Sequence, residues 1–146
     1  MDPDFPTALY NLAGVLLRKR DETANSDAKR ILHDLFERFP DYPFARISLA
    51  QLAITAGRLE EAQDLLKPLA GRPRWHLSEL MAHGTALVEL ALAVKDFNRA
   101  EASLEMLRQL DQDDPRIEQL QRRIQFQRNP MRSVEDPFLQ MLRGLN

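Results

Sequence analysis

The sequence predicts an all-α protein, a right-handed solenoid of helical hairpins with an end helix and a short tail helix. Three observations predict it. The segment Pro3-Asp4-Phe5-Pro6-Thr7-Ala8-Leu9-Tyr10-Asn11-Leu12-Ala13 recurs as Pro40-Asp41-Tyr42-Pro43-Phe44-Ala45-Arg46-Ile47-Ser48-Leu49-Ala50, identical or aromatic-for-aromatic at seven of eleven positions. A second pattern runs through the other half of each unit: Ala28, Leu32 and Leu35 recur 34 residues on as Ala62, Leu66 and Leu69, and 38 further on as Ala100, Leu104 and Leu107. Composition agrees, because Leu, Ala, Gln, Glu and Arg are abundant and β-branched residues are sparse, which favours helix.

Helices are expected near 5–19, 27–38, 44–56, 59–70, 76–94, 97–110 and 115–128, each with its own punctuation. Pro6 and Pro43 fall in first turns, where proline's missing N–H leaves no hydrogen bond unmade. The polar run Asp21-Glu22-Thr23-Ala24-Asn25-Ser26 reads as a lengthened turn between the first two helices. Gly57 breaks the chain, and Glu60-Glu61 then complement the dipole of a starting helix. Pro68 should kink or shorten the fourth helix. Asp96 reads as an N-cap, and Asp114-Pro115 as a cap followed by an N1 proline.

A hairpin of this length cannot bury its own apolar stripe and must stack on its neighbours. The organisation expected is one repeat domain over 1–129, with units near 3–40, 41–75 and 76–114 and an end helix at 115–128. In that last helix Ile117, Leu120 and Ile124 share one side, with Arg122, Arg123 and Arg128 elsewhere, as a solvating end helix requires. An amphipathic tail over 130–146 follows the breaker Asn129-Pro130, where Asp136-Pro137 precedes Phe138, Met141, Leu142 and Leu145 at i, i+3, i+4 and i+7. So short a helix is unstable alone and must pack on its own array, a neighbouring copy or a partner.

Composition excludes several functions. Without cysteine there is no disulfide, thiolate metal site or cysteine nucleophile. A net charge of −2 gives no global attraction to nucleic acid or anionic membrane. The N-terminus lacks a secretory pattern, and the longest apolar stretch, near 85–94, is interrupted by Glu89 and too short for a bilayer. A cytoplasmic protein is expected, and a chain opening on a repeat boundary is compatible with a piece of a longer array.

The unit resembles the tetratricopeptide repeat. The carriers are Leu12-Ala13, Leu49-Ala50 and Leu87-Val88 in the first helices, Ala28, Ala62 and Ala100 opening the second helices, and Pro40 closing the first unit. The resemblance covers roughly residues 3–114. It departs from the family pattern in the turn at 21–26, in Gly84 where a large residue is usual, and in leucines replacing most signature aromatics.

The resemblance implies a non-catalytic scaffold whose first helices line a concave, partner-binding face. Projected onto that face are Tyr10, Gly14 and Leu17; Phe44, Ile47, Gln51 and Ile54; and Thr85, Glu89 and Leu92. So apolar a face suits a helix or an apolar peptide; alternatively these side chains belong to the core. Some relatives clamp acidic chaperone tails with Lys, Asn and Arg. The matching positions here are Tyr10, Gly14, Ser48, Ala82 and Ala86, with no cation, so that specificity is not expected. A homo-oligomer whose tail docks in its own or a neighbour's groove is the alternative, and a weakly RNA- or DNA-binding repeat a second. The latter draws on Arg18-Lys19-Arg20 and on Arg116, Arg122, Arg123, Arg128 and Arg132, opposed by Asp111, Asp113 and Asp114.

No cofactor and no catalytic group is expected. His76, Glu79 and His83 share a helix side at i, i+3 and i+7, looser than the i, i+4 pair of zinc helices and without a fourth ligand, so solvated side chains are preferred over a metal site. At the joint Gly71-Arg72-Pro73-Arg74-Trp75, Arg–Trp stacking and plain packing are both open. No glycine-rich phosphate loop and no Ser–His–acid arrangement is present.

Overall fold

A computed structural model describes residues 5–130 and 141–144. Seven α-helices and one short 3-10 helix follow one another: α1 (Phe5–Arg18), α2 (Glu22–Arg38), α3 (Pro43–Thr55), α4 (Leu59–Leu66), the 3-10 turn (Lys67–Gly71), α5 (Leu77–Ala93), α6 (Phe97–Leu110) and α7 (Pro115–Arg128). Residues 141–143 are also helical, and no strand occurs among the described residues. This is the expected all-α helical-hairpin fold.

The core shows why the hairpins stack. Each of its three clusters needs a pair of helices and the first helix of the next pair. Ala13, Ala28, Leu32 and Leu35 from α1 and α2 are closed by Ala45 and Leu49 of α3. Ala50, Ala53, Ala62 and Leu66 from α3 and α4 are closed by Ala86 of α5. Met81, Val88, Leu104 and Leu107 from α5 and α6 are closed by Ile117, Leu120 and Ile124 of α7. The end helix thus seals the third hairpin as a first helix would, and each large side chain it buries contributes about 1.5–3 kcal/mol.

Two boundaries differ from the sequence reading. Residues 22–26 are the opening turns of α2 rather than a lengthened connection, because the Asp21 carboxylate accepts a hydrogen bond from the Thr23 amide at 3.2 Å and Ala24 is buried. Helix α4 stops at Leu66, and the chain through Pro68 tightens to a 3-10 turn, as proline requires. The other caps are as read: Asp96 accepts from the Arg99 amide at 3.1 Å, and Asp114 from the Arg116 amide at 2.9 Å.

The joints after α3 and α5 close identically. The Gly57 amide reaches the Ile54 carbonyl at 3.0 Å and the Arg58 amide the Ala53 carbonyl at 2.8 Å. Thirty-eight residues on, Lys95 reaches Leu92 at 3.1 Å and Asp96 reaches Ala91 at 2.9 Å. This closure needs a left-handed residue. Gly57 supplies it at φ 77°, whereas Lys95 is held there at φ 60° with a side chain.

Candidate partner-binding groove

Helices α1, α3, α5 and α7 form the row that carries the candidate groove. At its first end lie three aromatic rings. Tyr10 of α1 sits 5.3 Å from Phe44 and 6.1 Å from Tyr42, and those two are 5.6 Å apart. All three are half-buried, so each ring packs on its neighbours and keeps an accessible side. Ser48 Oγ donates to the Tyr10 hydroxyl at 3.5 Å. Burial pushes the Tyr42 hydroxyl pKa up, against a hydrogen bond with Thr7 that lowers it, and Tyr10 and Glu79 add to the rise.

Farther along, Gln51 of α3 donates through Nε2 to Glu89 Oε1 of α5 at 3.2 Å. Burial raises the Glu89 carboxyl pKa, with the Arg123 charge on α7 and the Gln51 hydrogen bond acting the other way. Glu89 thus places a partly buried carboxyl, hydrogen-bonded to the Gln51 amide, among the apolar side chains of the row. At the α7 end of the row the Arg116 guanidinium pKa is raised, chiefly by its hydrogen bond to Asp114.

The structure sorts the residues projected from the sequence. Tyr10, Gly14, Leu17, Phe44, Gln51, Ile54 and Glu89 are half-buried along this row. Ile47 at 2%, Leu92 at 1% and Thr85 at 9% exposure are buried, and a partner cannot reach them without repacking. Ile47 lies in the core between the second hairpin and α5, Leu92 in the core of the third, and the Thr85 hydroxyl donates to the Met81 carbonyl within its own helix at 2.7 Å. Their placement on the open face is therefore corrected: they turn inward, about a ninth to a sixth of a turn from the half-buried positions Phe44, Gln51 and Glu89 on the same helices. Tyr42, which packs on Tyr10 and Phe44, is not among the residues projected from the sequence, since it precedes the first residue of α3.

Met141 and Leu142 of the tail stripe are exposed, at 58% and 44%. Phe138 and Leu145 lie outside the described residues. In the second basic run three arginines are paired with acids: Arg116 with Asp114 at 2.8 Å, Arg128 with Glu101 at 2.5 Å and Arg122 with Glu118 at 2.5 Å.

His76, at the N-cap of α5, and Glu79 and His83 within it do not form a group that could hold a metal, and no three His, Asp or Glu among the described residues do. Glu79 is buried against Arg72, whose guanidinium lies 4.8 Å from the Trp75 ring centre. His83 stacks on Trp75 at 5.0 Å, and burial lowers its imidazole pKa. Arg–Trp stacking and joint packing are thus one arrangement. Among the described residues no helix is long and apolar enough to cross a membrane.

Residues 19–74 match the tetratricopeptide repeat family model. No curated protein and no solved structure matches the chain. Repeats of this family generally mediate protein–protein interaction and are typically non-catalytic. The matched segment spans α2, α3 and α4, the junction of the first two hairpins, and helical hairpins continue through α5 and α6; over residues 19–74 the chain is similar to the tetratricopeptide repeat family.

Proposed function

We propose that this protein is a non-catalytic interaction module that holds a helix or apolar segment of a partner protein along the α1–α3–α5–α7 row. The observation that carries this reading is the pairing of a half-buried aromatic trio, Tyr10, Tyr42 and Phe44, with the Gln51–Glu89 hydrogen bond on the same row. Aromatic rings offer large contact area with little conformational freedom to lose, which suits binding hot spots. The half-buried Glu89 carboxyl supplies direction, since it favours a partner amide or cation over plain hydrocarbon.

Phe44→Asp and Gln51→Arg test it. Both positions are half-buried, so circular dichroism and thermal melts should stay near those of the parent. Proteins captured from the native lysate by the parent should be lost from both variants. Capture of the same proteins by parent and variants alike would refute the groove.

A second reading rests on Met141 and Leu142, whose exposed apolar side chains sit in a tail patterned as an amphipathic helix. In it the tail docks in a neighbouring copy, and the protein self-associates. Light scattering of the full chain and of a version ending at Asn129 separates the two. Monomers at high concentration in both cases reject tail exchange.

A further inference from the structure

On the side formed by the second helices lies a separate cavity of about 430 Å³, between α4, its 3-10 turn, α5 and the start of α6. Its floor is apolar: Leu66 is buried, and Leu87 and Leu90 of α5 are half-buried. Its rim carries Lys67, Arg99 and His83. No carboxylate lines it. Lys67 and Arg99 are exposed, and neither forms an ion pair among the described residues. On α5 the Leu87–Leu90–His83 strip lies about a third of a turn from Glu89, so this cavity and the aromatic row occupy different faces of the same helix.

The rim and floor select one chemistry. Two unpaired cations over a hydrocarbon floor repel a basic ligand and leave a neutral one with unmatched charge nearby. A large apolar side chain fills the floor, and carboxylates beside it meet Lys67 and Arg99. The volume accommodates one or two leucine-sized groups with their backbone, within the roughly 300–1,000 Å³ typical of ligand sites. We infer that this cavity is a second docking site, specific for an acidic protein segment that presents leucine between carboxylates. Such a site lets the module hold two partners, or two parts of one partner, at once.

The only tryptophan of the chain reports on this site, since Trp75 stacks on the rim residue His83. The probe is a capped ten-residue peptide with two adjacent leucines between pairs of glutamates. Two controls carry lysines for the glutamates or alanines for the leucines. Trp75 fluorescence and calorimetry of the intact chain give the affinity. The acidic leucine peptide should bind saturably and weaken with added salt. Replacing Lys67 and Arg99 with glutamate, at exposed positions that leave the core untouched, should weaken it at least about tenfold, equivalent to about 1.4 kcal/mol. Both control peptides should bind at least that much more weakly, and Phe44→Asp on the other face should change nothing. Absence of saturation at millimolar peptide, equal binding of the lysine control, or an unchanged affinity in the double variant would overturn the site. Loss of binding in Phe44→Asp would place the acidic peptide in the aromatic row and overturn it too.

Discussion

Replacing Gly84 with alanine separates packing from helix propensity by sign. Gly84 lies inside α5, where alanine would favour the helix by about 1 kcal/mol if nothing else intervened. A Cβ built there overlaps Leu107 Cδ2 of α6 and stands 3.1 Å from Leu107 Cγ. Leu107 is itself buried at 1% exposure in the core of the third hairpin, so it has nowhere to retreat. Overpacking of a filled core costs about 1–3 kcal/mol. Set against the propensity gain, Gly84→Ala should destabilise by up to about 2 kcal/mol and should not stabilise. Gly14 is the internal control, since a Cβ there meets nothing within 4 Å and Gly14→Ala should stabilise by up to about 1 kcal/mol. Urea unfolding followed by circular dichroism reads both. In combination with Leu107→Ala, the alanine at 84 should turn neutral or favourable, a coupling of about 1–3 kcal/mol in a double-mutant cycle. A Gly84→Ala protein more stable than its parent would refute the close α5–α6 crossing.

Four further outcomes follow from the same structure. Lys95→Gly should stabilise by up to about 1 kcal/mol in urea unfolding, because it relieves a left-handed side chain at a closure where Gly57 already supplies glycine. Ile124→Ala should cost about 2–5 kcal/mol by calorimetric or urea unfolding, the range for emptying a buried site, since α7 closes the third core. Asp114→Ala should lose about 0.5–2 kcal/mol of cap stabilisation. The Asp114 carboxyl pKa is lowered chiefly by its side-chain hydrogen bonds with Arg116, so its contribution is present above the unfolded value and disappears as pH falls below about 4, which melts taken from pH 6 to pH 3 would trace. The sign is opposite for Glu89: burial raises its folded pKa, so its ionisation opposes folding above that pKa. Glu89→Gln should therefore gain stability at neutral pH relative to acid. Parallel melts of parent and variant at pH 7 and at pH 4 check this, and a larger gain at pH 4 would contradict it.

Much of the fold was legible because helix stacking leaves its period in the sequence. Ala28, Ala62 and Ala100 recur because each second helix must approach its partner closely, and all three are fully buried. The opening of α2 was not legible, because Glu22-Thr23-Ala24-Asn25-Ser26 has the composition of a turn, and only the Asp21 cap and the burial of Ala24 settle it as helix. On the groove, periodicity located the face of each first helix but not which edge of it the next helix would cover. Ile47, Thr85 and Leu92 fall on the covered edge, and Tyr10, Phe44, Gln51 and Glu89 on the open one. Contacts between units, such as Gln51 with Glu89 and Tyr10 with Ser48, join residues 38 apart and depend on the stacking register, which no single helix encodes.

The most direct test of the partner-binding row is site-specific photocrosslinking in the native lysate, with a benzophenone amino acid placed singly at Gln51, in the row, or at Lys29, exposed on α2. Crosslinks to a distinct protein from position 51 and none from position 29 are the predicted result. The same crosslinks from both positions, or none from position 51, would contradict a partner held along α1, α3, α5 and α7.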